Sequence, residues 1–194
     1  MTLSRNDLWS LEQYSEKRTD FRKQVIAHKK YRQVLLSEHA RVLFEDELTV
    51  RYQVQEMLRI EKVFEAAGIQ EELDAYNPLI PDGTNWKATL MLEYDDIAER
   101  KGALEALIGV EDKVWMQVGD NDKVYAIADE DLERQNDVKT SSVHFLRFEL
   151  SNEMIQAVKD NATIIAGCDH PALNVDGITL QQEVAISLAK DLAA

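Results

Sequence analysis

A run of alternating apolar and polar residues from Trp86 to Tyr94 most strongly restricts what this 194-residue chain can fold into. Successive side chains of a strand point to opposite faces, so the alternation predicts a strand with one buried face. A one-sided strand needs other elements to cover its apolar face. The rest of the sequence has both helical and strand patterns, and elements of either kind can provide this cover.

Two long segments have the period of an amphipathic helix. Residues 12–29 place apolar side chains at spacings of three or four. Residues 47–67 build an apolar arc that includes Val50 and Val54, and Gly68 is a suitable residue to end that helix. Shorter helices are predicted at residues 96–109, at 151–159 and from residue 179 onward.

Strand patterns occur on both sides of the chain's centre. Residues 32–36 and 40–44 predict a hairpin around a three-residue loop. The other predicted strands are residues 113–118, 123–128, 143–150 and 163–166. These patterns predict an α+β protein, with helices packed around a largely antiparallel sheet.

The length predicts a single domain over residues 1–194, which would bury roughly 70% of the unfolded surface. Its α-rich N-terminal half covers residues 1–76, and its β-rich C-terminal half covers residues 84–194. The Pro- and Gly-rich loop at 77–83 separates the two, because the residue before a proline disfavours the helical state.

Composition excludes several classes of protein. A net charge of −14 makes nucleic acid an unlikely ligand, since phosphate would be repelled. The single cysteine, Cys168, excludes a disulfide framework and a Cys-based zinc or iron–sulfur site. Neither a signal peptide nor a membrane-spanning run is recognisable, so we predict a cytoplasmic protein without membrane contact.

The charge is unevenly distributed. Residues 1–41 hold nine basic and five acidic groups, a net +4, whereas the remainder carries −18. Seven basic groups lie between Lys17 and Arg32, and only Asp20 opposes them. We favour the interpretation that they pair with the protein's own acidic body. The alternative is a docking surface for an acidic partner or a phosphate-bearing ligand.

No recognised catalytic or cofactor motif is present: the sequence lacks a glycine-rich phosphate loop, GxSxG, HExxH and CxxC. We interpret His28, His39 and His144 as structural residues. Cys168, Asp169 and His170 are predicted to lie in a loop after a strand. Asp169 and His170 would act as a pair of metal ligands or as a base and the group that orients it, and the alternative is the Cys168 thiol as a nucleophile.

Glu61 is predicted to lie on the apolar arc of helix 47–67, between Met57 and Phe64. A buried carboxylate must be paired, hydrogen-bonded or protonated. We therefore predict either an ion pair with an arginine of a neighbouring element, which we favour, or a functional role for Glu61.

The segment Phe44–Glu61 resembles an uncharacterised bacterial domain-of-unknown-function family of about 200 residues with the pattern FEN-x-x-T-x-x-YQIQEM-x-R-x-E. Asp46 replaces the usual Asn and Val54 the usual Ile. The resemblance continues through four further segments: Tyr76–Pro81, Ala88–Leu90, Val143–Phe145 and Asp169–Pro171. Genes of the family tend to lie beside rubrerythrin-like proteins and iron–sulfur oxidoreductases. The resemblance therefore implies a role in redox or peroxide-stress chemistry, with such a protein as partner.

The motif and the helical pattern together predict a polar site at the helix and the later loop. Its members are Glu45, Tyr52, Gln55, Glu56, Arg59, Glu61, Asp169 and His170. Within it, Glu56, Glu61 and His170 are the candidate ligands for a divalent metal, with Glu45 nearby. Carboxylate and imidazole ligands suit iron, manganese or zinc, although no cofactor is evident from the sequence.

Three functions compete on these observations. We favour an accessory or interaction protein of a redox or peroxide-stress system, with a homodimer as a further interaction to consider. The first alternative is a metal-dependent enzyme or metalloprotein that uses the carboxylate–histidine cluster. A nucleic-acid regulator ranks last because of the negative charge, and whether the protein is an enzyme stays open.

Overall fold

The computed structural model describes residues 2–130 and 139–193. Over these ranges helices alternate with antiparallel strands, which confirms the predicted α+β class. The helices are α1 (Leu11–Lys29), α2 (Glu47–Glu61), α3 (Ala66–Tyr76), α4 (Ile97–Ala106), α5 (Asn152–Lys159) and α6 (Gln182–Ala189). Short 3-10 turns cover Arg5–Asp7, Asn77–Leu79 and Val110–Lys113.

The strands form two sheets. They are β1 (Gln33–Leu35), β2 (Ala40–Glu45), β3 (Asn85–Leu92), β4 (Val114–Val118), β5 (Val124–Tyr125), β6 (Ile127–Ala128), β7 (Val143–Glu149), β8 (Ile164–His170) and β9 (Leu173–Thr179). The larger sheet has the order β1-β2-β3-β7-β6 and the smaller the order β5-β4-β8-β9. Strands β1 and β2, from the α-rich segment, thus join the same sheet as β3 and β7.

The largest hydrophobic cluster joins residues of both sheets with α5 and α6. Trp86 of β3 is fully buried in it, and its indole Nε1 donates a hydrogen bond to the Leu188 carbonyl of α6 at 3.1 Å. In the smaller sheet Trp115 packs over Gly167, where a Cβ atom would lie only 2.2 Å from the indole ring. The alternation predicted for β3 therefore does bury an apolar face.

Helices α1 and α2 form a separate layer and run in opposite directions. Tyr14 contacts Glu56 at one end of this layer, and His28 contacts Asp46 at the other. Helix α1 has only three buried residues among its 19, because one of its sides alone meets α2. In the described ranges no helix has the length and apolar character needed to cross a membrane.

The prediction of one helix from residue 47 to 67 is wrong at its C-terminal end. Helix α2 stops at Glu61, and Lys62 adopts the left-handed conformation with φ of 57°. A new helix, α3, begins at Ala66 and contains Gly68. The apolar residues after Glu61 therefore belong to a different element, and the periodic pattern bridged a real break in the chain.

Two strand predictions also need correction. The strand predicted at 163–166 continues to His170, so Cys168, Asp169 and His170 lie in β8 rather than in a loop. They are held there because β8 pairs with β4 on one side and with β9 on the other. The strand predicted at 123–128 divides into β5 and β6, which join different sheets.

Candidate metal centre

Glu56, at the centre of the predicted polar site, is held in an ion-pair cluster between α1 and α2. Arg18 binds its carboxylate with two nitrogens, Nε to Oε1 at 2.7 Å and Nη2 to Oε2 at 2.9 Å. The Tyr14 hydroxyl donates to Oε1 at 2.6 Å, and Arg59 donates to Oε2 at 3.2 Å. The hydrogen bonds from Arg18 chiefly lower the pKa of Glu56 to about 2, and burial raises the pKa of Tyr14. Both carboxylate oxygens are thus occupied by protein donors.

Three other members of the predicted site stabilise local structure. Gln55 is fully buried and bonds both backbone groups of Trp9, accepting from its N–H at 2.7 Å. Tyr52 packs its ring 5.9 Å from that of Phe21. Glu45, which is nearly buried at the end of β2, accepts a hydrogen bond from Thr89 at 2.7 Å.

Glu61 is exposed, so the prediction that it lies on the packing face is wrong. The buried residues of α2 are Thr49, Val50, Val54, Gln55 and Leu58. Because the helix ends at Glu61, no following turn covers this side chain. Glu61 is the last residue of α2, so the side of the helix that it shares with Val50 and Val54 does not bury it.

Asp169 and His170 point to opposite faces of β8. Asp169 accepts hydrogen bonds from Trp115, Lys123 and Tyr125, at distances from 2.5 to 3.2 Å. These bonds hold the pKa of Asp169 below its usual value, with Tyr125 as the largest cause. The His170 ring contacts the Ile108 carbonyl through Nε2 and accepts from the Ala172 N–H through Nδ1. Both of its ring nitrogens are therefore already used by backbone groups.

The predicted metal ligands Glu56, Glu61 and His170 are not brought together. Among residues 2–130 and 139–193, three side chains do place ligand atoms within 4.8 Å of one another: Glu111, Asp129 and His144. The structure therefore moves the carboxylate–histidine cluster to a different part of the fold.

The three residues come from three irregular or buried positions around the larger sheet. Glu111 lies in the 3-10 turn Val110–Lys113, which follows Gly109 with φ of 83°. Asp129 comes directly after β6 and has a positive φ of 48°. His144 lies on β7, whose alternating pattern points this side chain into the core. A tight turn, a strand end and a strand face thus converge on one point.

His144 is completely buried and has oxygen atoms around both ring nitrogens. Its Nδ1 lies 2.6 Å from Oδ2 of Asp129, whose Oδ1 accepts from the Phe145 N–H at 3.0 Å. Its Nε2 lies 2.9 Å from the Thr140 hydroxyl, 3.1 Å from the Ser141 carbonyl oxygen and 3.8 Å from Oε2 of Glu111. The ring is thus fixed by Asp129 on one side and faces Glu111 on the other.

Glu111 supplies the most informative atom of the cluster. The residue is only 3% exposed, and its Oε2 is buried without a hydrogen-bond partner among the residues that the structure describes. Leaving a buried polar atom without a partner costs about 1–3 kcal/mol, and more when the group is charged. A cation bound between Oε2 and His144 would remove that cost.

A metal ion on Nε2 of His144 would replace the contacts of that nitrogen with the Thr140 and Ser141 oxygens, and the distance from Nε2 to Oε2 of Glu111 suits two ligands of one ion. Around a tetrahedral ion with bonds of about 2.1 Å, two ligand atoms lie about 3.4 Å apart. The observed separation of 3.8 Å between Nε2 of His144 and Oε2 of Glu111 is close to this value. A carboxylate on the other nitrogen of a metal-binding histidine is a common arrangement, because it orients the ring and fixes its tautomer.

Sequence reasoning missed this cluster, because it interpreted His144 as a structural residue. Glu111 and Asp129 carried no signal, since an acidic residue in a turn is ordinary. The segment Val143–Phe145, which carries part of the family resemblance, does contain His144. A buried histidine within such a segment was the one usable indication.

Comparison with known proteins agrees with that resemblance. The profile of a family described as "Protein of unknown function (DUF3501)" matches residues 2–192. The chain belongs to this family. A crystal structure of a novel protein of unknown function from Burkholderia pseudomallei K96243 shares 53% sequence identity and covers 100% of both chains, with a TM-score of 0.96. The search of curated proteins found no match. The Burkholderia protein thus shares this fold, and the activity of this chain has to be argued from its site.

Proposed function

We propose that this DUF3501 protein binds a divalent transition-metal ion at Glu111, Asp129 and His144. The observation that carries the proposal is the buried Oε2 of Glu111, which has no hydrogen-bond partner within 2–130 and 139–193 and faces Nε2 of His144 at 3.8 Å. Glu111 and His144 would bind the ion directly. Asp129 would orient His144 through Nδ1, or shift to become a third ligand.

The ligand set favours zinc, iron or manganese. Carboxylate and imidazole bind all three, whereas calcium and magnesium prefer oxygen ligands alone. Glu111 and His144 are both buried, so the ion would be largely shielded from solvent. Such a site suits an ion that stabilises the junction of β6, β7 and the turn Val110–Lys113.

The test compares two buried histidines in the metal-depleted protein. Isothermal titration with Zn²⁺, Mn²⁺ and anaerobic Fe²⁺ should show one site per chain for wild type and for His170→Ala. His144→Ala and Glu111→Gln should weaken binding at least about 100-fold, because each removes a direct ligand. Elemental analysis of protein purified without added metal should find more bound metal in wild type and His170→Ala than in His144→Ala and Glu111→Gln.

His170→Ala is the matched control, since it deletes a buried imidazole that hydrogen-bonds only to backbone groups in the described structure. Circular dichroism should show that all variants fold. Metal binding that survives His144→Ala, or that His170→Ala abolishes, would contradict the proposal, as would a wild-type protein that binds none of the three ions.

An accessory role in a cytoplasmic redox or peroxide-stress system is a second candidate. The family resemblance supports it, and iron or manganese at the proposed site would fit redox chemistry. Sedimentation velocity of the purified protein with a rubrerythrin-like protein or an iron–sulfur oxidoreductase tests it. A complex formed equally by wild type and His144→Ala would favour an adapter role independent of the metal.

A further inference from the structure

The α1–α2 layer carries opposite charges at its two ends. Residues 21–31, in the C-terminal part of α1 and just after it, contain four basic residues and no acidic one: Arg22, Lys23, Lys29 and Lys30. We call this segment the basic end. Residues 60–74, at the end of α2 and in α3, contain five acidic residues and one lysine: Glu61, Glu65, Glu71, Glu72, Asp74 and Lys62. We call this segment the acidic end.

The two ends lie at opposite extremes of the layer. The His28–Asp46 contact marks the basic end, and the Tyr14–Glu56 contact lies toward the acidic end. Fourteen residues of α1 separate these contacts, which corresponds to about 21 Å at 1.5 Å per residue. The layer therefore has a positive and a negative end. Their separation fits within a typical protein interface, which buries about 800 Å² on each partner.

Much of the charge at the basic end is not neutralised by the residues that the structure describes. The side chains of Arg22 and Lys30 make no hydrogen bond or ion pair with them, and the Lys23 side chain reaches only the exposed Asp20 at 3.1 Å. Arg18 and Arg32, by contrast, are engaged by Glu56 and Asp191. The predicted pairing of the basic segment with the acidic body thus holds for those two arginines and not for the outward-facing residues.

The acidic end shows crowding of like charges. Glu61, Glu65 and Glu71 are exposed and have no ion-pair partner among the described residues. Burial raises the pKa of Glu72, and repulsion from Glu61 and Glu71 raises it further. A cation brought to this surface would relieve that repulsion.

Exposed apolar side chains lie within both charged ends. Ile60 and Phe64 are 60% and 69% exposed at the acidic end, and Ile26 and Tyr31 are 46% and 52% exposed at the basic end. Beside Phe64, an apolar cleft of about 270 Å³ is lined by Trp9, Leu58 and Ile69, among others. Each end thus offers apolar contact area surrounded by charge, as interface centres do.

We propose that two copies of the chain form a two-fold dimer through this layer, with the basic end of each copy on the acidic end of the other. A two-fold axis makes both contacts equivalent and closes the assembly. Charge complementarity selects a second copy as the occupant, because each copy carries both signs at the two ends of one helix layer. Glu47 and Glu183 lie near the basic end, but Lys190 beside them offsets part of their charge. The proposal is independent of the metal site.

A charge-swap experiment tests this arrangement. The triple variant R22E/K23E/K30E makes both ends acidic, and E61K/E65K/E71K makes both ends basic. Sedimentation equilibrium in about 0.1 M NaCl should show a dimer for wild type and a dimer dissociation constant at least tenfold higher for each variant. In about 1 M NaCl the Debye length falls from about 10 Å to about 3 Å, so the wild-type dimer should weaken.

The equimolar mixture of the two variants is the decisive measurement. Both contacts of the mixed dimer pair opposite charges again, so its affinity should return to within about threefold of wild type. The control R100E/K101E/K113E reverses three exposed cations outside the layer and should dimerise like wild type. A monomeric wild type, a variant that still dimerises, or a mixture that stays monomeric overturns the proposal.

Discussion

Two clusters of charged residues in this protein use their carboxylates in opposite ways. Around Glu56, Arg18, Arg59 and Tyr14 occupy both carboxylate oxygens. Around Glu111, one oxygen is buried, lacks a hydrogen-bond partner in the described part of the chain and faces a histidine. The first cluster is complete and stabilises the α1–α2 layer. The second leaves a carboxylate oxygen able to accept a cation, which makes it the better candidate for function.

Two of the predicted site residues, Glu56 and Arg59, belong to the complete cluster, and most of the others have structural partners elsewhere. A polar residue beside an apolar arc requires a partner, and for Glu56 and Gln55 the fold provides one. Many polar residues beside an apolar helix face therefore indicate structural hydrogen bonds as readily as a catalytic or metal-binding site. An unpartnered buried atom distinguishes the two cases better.

The largest expected effect is stabilisation by metal. At a free ion concentration 100 times the dissociation constant, binding to the native state adds about 2.7 kcal/mol to the free energy of unfolding. For a chain of this length, that raises the melting temperature by about 5–10 °C. Thermal denaturation of wild type with and without Zn²⁺ or Mn²⁺ measures the shift. The Glu56→Gln variant should show the same shift, and Glu111→Gln should show none.

Glu56→Gln should lower the free energy of unfolding by about 1.5 kcal/mol, because Arg18 and Arg59 lose a charged acceptor. The figure is at the lower end of the range for such bonds, since solvent screens the partly exposed Arg18. Urea denaturation monitored by circular dichroism measures it. A stability equal to wild type would show that the cluster around Glu56 is energetically neutral.

Acid should remove the contribution of Glu56. Its pKa is lowered in the folded protein from 4.5 to about 2, so the contribution is complete above about pH 4.5 and is lost as the pH falls toward 2. The difference in unfolding free energy between wild type and Glu56→Gln should therefore be constant from pH 7 to pH 5 and shrink below that. If this difference in unfolding free energy grew on acidification, it would contradict the lowered pKa of Glu56.

Glu111→Gln should have the opposite effect to Glu56→Gln in metal-free protein. It should raise the free energy of unfolding by about 1 kcal/mol. The substitution replaces a buried charge that has an unpartnered oxygen with a neutral group of similar size. Urea denaturation in the presence of a chelator measures the change. Destabilisation instead would mean that Glu111 stabilises a positively charged His144, and that the cluster is a buried ionic network rather than a metal site.

Glu61→Gln should leave stability within about 0.5 kcal/mol of wild type, since this side chain is exposed at the end of α2. The same urea titration serves as the measurement. A decrease of more than about 1 kcal/mol in the free energy of unfolding would show that Glu61 is packed or paired after all. Its carboxylate would then resemble that of Glu56.

Local patterns predicted much of the fold correctly. The spacing of apolar residues located α1, and the turn around Ser37 located the β1–β2 hairpin. The alternation at Trp86 located β3. These elements are specified by neighbours within one turn or one strand. The extension of β8 to His170 was missed because pairing with β4 and β9 stabilises it, and neither partner is visible locally.

The sequence by itself determined the α+β class, the unequal distribution of charge and the membership in an uncharacterised family. These depend on composition, period and a continuous motif, which the order of residues contains directly. Only the tertiary structure decided where Glu61 lies, which carboxylates have partners, and that Glu111, Asp129 and His144 meet. Burial and contact between a turn, a strand end and a strand face depend on how distant segments pack, and no local spacing encodes that packing.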